Sequence, residues 1–348
     1  LRDTDHDDLL ASAAVADAVV QAAPGPDGDR VAYAAAREGQ TDLWLWDGQH
    51  DTRLTSDGIT ALRYGRGDPA WFDWDPAGEE IAFVDAEGSL STVSVETGRV
   101  ERLTNYDDPD LGLAYGPEGD RIAVVTDHFS RGSLAIVAAD GSGVVALADD
   151  DHLYQDPHWG ADGAVYAVRA HHRDLFDYES ALVRVPADGG VAGSSDPHVL
   201  FHEEGVRVQN VRPSPTDDSV AFVHDGSGFD ALYLTDAAGS EPTTVFTREE
   251  AEVADPAWDD DGERLAVTVT DDAATSVWTV PREGDAGGDA ERLTDEDAFH
   301  TAPRWRDGDV IVTRDTPHEP PAVQNVSTGG QVTPRAAATG FAERVPAS

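Results

Sequence analysis

Few side chains in this chain could do chemistry, and their spacing suits binding better than catalysis. There is no cysteine, which excludes thiol nucleophiles, disulfides and thiolate metal sites. No serine stands in a G-x-S-x-G run, the elbow that exposes a hydroxyl beside an oxyanion hole. The 12 histidines are scattered among turns and loops. Asp3-Thr4-Asp5-His6-Asp7 alternates acids like a calcium loop, but the sixth position, which requires glycine, is Asp8 and the twelfth is Ala14. His171 and His172 are adjacent, so on a strand they point to opposite faces and do not suit one ion. No metal or other cofactor is expected. What remains is the acid pair Glu203-Glu204, with Arg169, Arg173 and Arg207 in the same irregular stretch. The arginines suit a peptide carboxylate or local ion pairs, and the acid pair reads equally as a solvated loop.

The chain that must position these residues has 348 amino acids, 24 basic and 68 acidic, for a net charge of −44. It contains no lysine, so every basic residue is arginine. A polyanion without a basic stripe is repelled by nucleic acid and by anionic membranes, and neither is expected as a partner. An apolar fraction of 40% with 8 Trp, 8 Tyr and 10 Phe still provides a core, so the charge belongs to a solvated surface rather than to disorder. Acid excess without lysine is the composition expected of a protein from a salt-accumulating halophile, and hence of a cytoplasmic one, although a trimmed signal is compatible with it. No apolar run is long enough to span a bilayer. The absence of methionine, even at position 1, suggests a fragment or a processed chain.

Internal repetition defines the architecture. A turn ending in Gly, preceded by an aromatic and followed by an alternating strand, recurs as Trp74 to Gly78, Tyr115 to Gly119, Trp159 to Gly163 and Trp258 to Gly262. Pro24 to Gly28 lacks the aromatic, Pro213 to Asp217 lacks the glycine, and Trp305 to Gly308 is one residue short. The register marks are spaced by 41 to 54 residues with a mean of about 47, which fits a four-stranded blade. A third strand follows in each unit, as at Asp42 to Trp46, and a fourth ends in Arg-Leu-Thr at residues 53–55, 102–104 and 292–294. The expected fold is therefore an all-β, seven-bladed propeller over residues 19–333, with four antiparallel strands per blade and no shared closing strand. The ring should close by face packing alone, and the repeat aromatics should be core. Residues 1–18 form a lead that is helical near 7–18, and 334–348 form a trailing linker.

The repeat resembles the WD-like unit of the Tol-system periplasmic propeller and of the prolyl oligopeptidase family of serine peptidases, from about Val19 to Thr333. The lead Asp8-Leu9-Leu10, Val15-Ala16-Asp17 and Gly25-Pro26-Asp27-Gly28 resembles the opening of the peptidase members, and the seventh unit favours them over the Tol protein. The acylaminoacyl and dipeptidyl peptidase types fit best. Such enzymes carry their Ser, Asp and His in an α/β-hydrolase domain after the propeller, and this string stops where the linker into that domain is expected. The resemblance thus implies a non-catalytic propeller that caps and gates a same-chain hydrolase acting on short peptides. It also implies that Glu203 and Glu204 hold a substrate's free amino terminus, as dipeptidyl peptidases of the family do with a Glu pair, with Arg169 and Arg207 as further substrate contacts. The alternative is a free-standing propeller that grips a protein or carbohydrate partner.

Overall fold

Each repeat turn folds from its own chemistry. The Asp75 carboxylate gathers the N–H groups of Glu79 and Glu80, both at 2.7 Å, and Asp259 gathers those of Glu263 and Arg264 at 2.9 and 3.0 Å. Gly78 and Gly262 then take a left-handed φ of 69°, which glycine adopts without a Cβ clash. In the shortened seventh copy Asp307 and Gly308 both have positive φ, 50° and 84°, between the paired residues Arg306 and Asp309. That is a two-residue type I′ hairpin, whose twist matches the strands it joins.

The computed structural model describes residues 18–37, 39–60, 71–105, 110–127, 132–171, 179–187, 196–271, 274–283, 288–294, 298–316, 321–329 and 332–336. Seven four-stranded antiparallel sheets follow one another along the chain, each in sequential strand order. Blade one holds β1 (Ala18–Pro24), β2 (Val31–Arg37), β3 (Gln40–Trp46) and β4 (Asp51–Arg53); blade two holds β5 (Phe72–Trp74), β6 (Glu80–Val84), β7 (Leu90–Ser94) and β8 (Val100–Arg102). Blade three comprises β9 (Asp110–Tyr115), β10 (Arg121–Thr126), β11 (Ser133–Ala138) and β12 (Val144–Ala148), and blade four β13 (His152–Trp159), β14 (Val165–His171), β15 (Ser180–Val185) and β16 (His198–His202). Blade five has β17 (Val208–Pro213), β18 (Ser219–His224), β19 (Ala231–Asp236) and β20 (Thr243–Phe246), and blade six β21 (Glu252–Trp258), β22 (Arg264–Asp271), β23 (Ala274–Pro281) and β24 (Glu291–Arg292). The last blade is β25 (Phe299–Arg306), β26 (Asp309–Asp315), β27 (Ala322–Val326) and β28 (Val332–Ala336). Among the described residues there is no helix; the expected helical lead lies outside them, apart from Ala18, which opens β1.

The Arg-Leu-Thr repeat is a fastener for the outer strand. Oγ1 of Thr55, Thr104 and Thr294 accepts the N–H of Leu43, Leu90 and Val277 at 3.0, 2.8 and 3.0 Å. The intervening leucine N–H groups donate to the carbonyls of the same three residues.

Between blades, seven buried clusters fill the seven contacts, one for each neighbouring pair. The repeat aromatics stitch them. Indole N–H groups of Trp74, Trp159, Trp258 and Trp305 donate to Ala23, Ala114, Arg212 and Ala257 carbonyls of the preceding blade at 2.9–3.2 Å. Arg30, Arg121 and Arg264, each opening a second strand or lying just before it, stack over Trp74, Trp159 and Trp305 of the next blade, 4.5–5.5 Å from the ring centres. Among the described residues no strand is shared between first and last blades. Closure uses more than face packing: Val19 N–H donates to the Pro321 carbonyl at 3.2 Å, and Arg306 Nε donates to the Gly28 carbonyl.

Candidate functional site

Sequential antiparallel strands send the Gly turns to one end of the ring, and the blade-to-blade and second-to-third-strand connections to the other. The predicted residues gather at that connection end, around blades four and five. Glu203 and Glu204 lie in the turn between β16 and β17, closed by the Val206 N–H donating to the Glu203 carbonyl at 3.1 Å; both are exposed. Arg207 follows, half-buried, with Nη2 3.3 Å from both carboxylate oxygens of buried Asp230. The same carboxylate accepts Gln209 Nε2 at 2.8 Å, so Arg207 ties β17 to the loop before β19. Arg173 and His172 lie outside the described residues, as does the calcium-like Asp3 to Asp7 stretch, and His171 faces His152 across β13 and β14.

Arg169 comes to a different place. Its strand position shares a cross-strand row with Tyr154 and Ala181, and Ala181 packs toward blade three. Arg169, Glu179 and His202, with His152 and Val199, line a cleft of about 170 Å³ there. Neither Glu203 nor Glu204 lines it. Glu179, which no sequence motif marks, accepts from His202 Nε2 at 2.6 Å and from the Gly205 N–H at 3.2 Å. It thereby holds the turn that carries the acid pair.

A second constellation lies on the first strands, where none was expected. Six of these strands carry a register shift, and in four of them Asp156, Asn210, Asp255 and Ala302 take φ of 51–53°. The bulge re-aims the residue two places on: His158, Arg212 and Arg304 occupy that place in blades four, five and seven. Arg212 Nη1 lies 3.0 and 2.9 Å from the Asp156 carboxylate oxygens and 2.6 Å from His158 Nε2. Asp73 of β5 accepts the Tyr115 and Trp74 N–H groups at 2.9 and 3.0 Å. Arg304 is in electrostatic contact with Asp73, Asp156, Arg212 and Asp255. Blades two, four and seven are not mutual neighbours, so these groups meet across the central channel. The signal in the sequence was the residue just before each repeat aromatic, which is charged or titratable in Asp73, His158 and Arg304.

The channel shapes their protonation. Burial lowers the His158 imidazole, and the Arg212 charge lowers it further. Burial alone would raise Asp156, yet Arg212 and His158 more than offset it and hold the carboxyl well below the usual range. At Asp73 burial wins over its backbone hydrogen bonds and pushes the carboxyl from 3.8 up to about 6. A carboxyl raised on folding favours the folded state fully below its unfolded value, and that contribution is lost as pH rises through about 6. Asp73→Asn is therefore expected to be more stable than the parent by about 1–2 kcal/mol at pH 7.5, after discounting for partial exposure. The advantage should vanish near pH 4, and calorimetric melts of the two proteins at both pH values check it.

No family model and no curated protein sequence matches the chain. Solved structures do. A puromycin hydrolase complexed with PGG is 20% identical with a TM-score of 0.78, over 97% of this chain and 56% of that one. The β-propeller domain of the Trilobed protease from Pyrococcus furiosus, described as having an open velcro topology, is 12% identical with a TM-score of 0.67, over 94% and 97%. An oligogalacturonate lyase in complex with manganese is 15% identical with a TM-score of 0.67, over 87% of both chains. The likeness is one of fold, and this chain spans about half the length of the puromycin hydrolase.

Proposed function

We propose that this chain is the propeller half of a serine peptidase of the prolyl oligopeptidase type, of the acylaminoacyl or dipeptidyl kind. It caps the active site of a same-chain α/β-hydrolase domain and admits only short peptides. One observation carries the reading: seven blades close without a shared strand, in a chain whose fold covers about half of a puromycin hydrolase. The connection end supports it. Phe229, 41% exposed, and Phe299, 45% exposed, stand there as large uncovered apolar side chains, at the same end of the ring as Glu203 and Glu204. Such residues suit a docked domain, while the acid pair suits a substrate's amino terminus. In this reading the strip after β28, whose strand takes in residues 334–336 of the expected linker, leads into the hydrolase domain.

The test begins with the coding sequence beyond Ser348, where an open frame containing G-x-S-x-G is expected. A stop codon there would favour the free-standing binding propeller, a reading to which the lyase, matched over most of both chains, lends its architecture. The 348-residue chain alone should not turn over a chromogenic aminoacyl substrate, because it holds no cysteine and no elbow serine. The full-length enzyme should do so, and a serine-directed phosphonate should block it. Replacing Glu203 and Glu204 by Gln in the full-length enzyme should raise KM at least tenfold for peptides with a free amino terminus and leave blocked peptides unchanged. Equal effects on both substrates would remove the acid pair from recognition.

A further inference from the structure

In a chain with 68 acids against 24 arginines, Arg304 of the inner strand β25 has no ion pair with a carboxylate among the described residues, and unlike Arg37 and Arg248 it has no aromatic ring to stack on there. Its recorded hydrogen bond goes to the neighbouring Pro303 carbonyl, from Nη1 at 2.8 Å, which leaves the rest of the guanidinium fork undirected. The acids around it are committed elsewhere. Asp156 is held by Arg212, His158 and the Val211 N–H, and Asp73 by two backbone N–H groups. Asp255 accepts the Thr268 hydroxyl at 3.4 Å. Arg212, neutralised by Asp156, still adds its like charge. Burial first, and then that charge, bring the Arg304 guanidinium down to about 10, outweighing the opposing pull of Asp255, Asp73 and Asp156.

We propose that Arg304, backed by Arg212, is a seat for one carboxylate group inside the central channel, with the free C-terminus of a short peptide as its source. A planar carboxylate matches the fork of a guanidinium in a bidentate pair, and a channel walled by protein strengthens that pair relative to water. The surroundings favour a monoanion over a dianion: Arg304 and Arg212 already stand among Asp73, Asp156 and Asp255, so each further negative charge on a ligand adds repulsion that a phosphate dianion would meet twice. The peptide source rests on the proposed peptidase reading, whereas the carboxylate seat does not.

The experiment is calorimetric titration of the 348-residue chain in molar KCl at pH 7.5, with N-acetyl-trialanine as the free acid and as its C-terminal amide. High salt screens the repulsion between the protein's net charge and the ligand without removing a contact pair. The acid is expected to bind at least tenfold tighter than the amide. Arg304→Gln should abolish that preference and Arg304→Lys should keep part of it, because the charge stays while the fork is lost. The acid-to-amide comparison on the parent chain stands even if a variant fails to fold. Equal affinities, or no binding of the acid, would overturn the proposal. So would chloride-35 line broadening that Arg304→Gln removes while acid and amide bind alike, since that assigns the site to chloride. A stop codon after Ser348 would remove the peptidase reading and leave the acid preference measurable.

Discussion

Dialysis from molar KCl into dilute buffer is expected to unfold this protein cooperatively, and restoring the salt to refold it. The net charge of −44 must be carried on a folded surface with a radius of roughly 26 Å for a chain of this length. Smeared over such a sphere, its self-repulsion is on the order of 35 kcal/mol at an 8 Å screening length and roughly 15 kcal/mol at 3 Å. The difference of about 20 kcal/mol exceeds the usual folding margin of about 5–15 kcal/mol. Local pairs such as Arg53–Asp42 at 2.5 Å and Arg282–Asp217 at 2.5 Å relieve only part of it, because the acids outnumber the arginines almost threefold. Circular-dichroism melts at both salt concentrations decide the matter, and an unchanged midpoint would refute the expectation.

Trp305→Ala should cost about 3–5 kcal/mol, the range for deleting a large buried aromatic. The ring is 8% exposed, joins the cluster between blades six and seven, and lies under Arg264 at 4.5 Å. Its indole N–H also holds the Ala257 carbonyl at 2.9 Å. Trp305→Phe keeps most of the ring and loses the hydrogen bond, for a cost of about 1–2 kcal/mol. Val100→Ala, at a side chain 47% exposed, should change stability by no more than about 0.5 kcal/mol. Denaturant melts in molar KCl check the order of the three. A Trp305→Ala protein as stable as Val100→Ala would mean that the repeat aromatics do not hold the blades together.

Most of the ring was legible because its rules are local. Strand alternation and the Gly turns act within a few residues, and Arg-Leu-Thr reaches only to the next strand, so each of the seven units carries its own instructions. The placement of the repeat tryptophans between blades also followed from the pattern, since an aromatic recurring at one position in five of the seven units must meet the same neighbour. Closure was only half visible. The absence of a shared strand could be read from the unit count, but the bonds from Val19 to Pro321 and from Arg306 to Gly28 join the two ends of the chain. Nothing local marks either pair.

The candidate site was less legible for a related reason. Glu203 and Glu204 stood out as neighbours in sequence, yet the cleft beside them is lined by Arg169, Glu179 and His202, drawn from three strand ends. In the channel, Asp73, Asp156, His158, Arg212, Asp255 and Arg304 come from five blades. By its own rules the sequence determined the repeating unit, the number of units and the acidic surface, because propensity, alternation and composition are short-range or additive. Only the tertiary structure decided which charges face one another, since that depends on ring closure. Closure places residues more than two hundred positions apart around one axis and removes the water that would otherwise screen them.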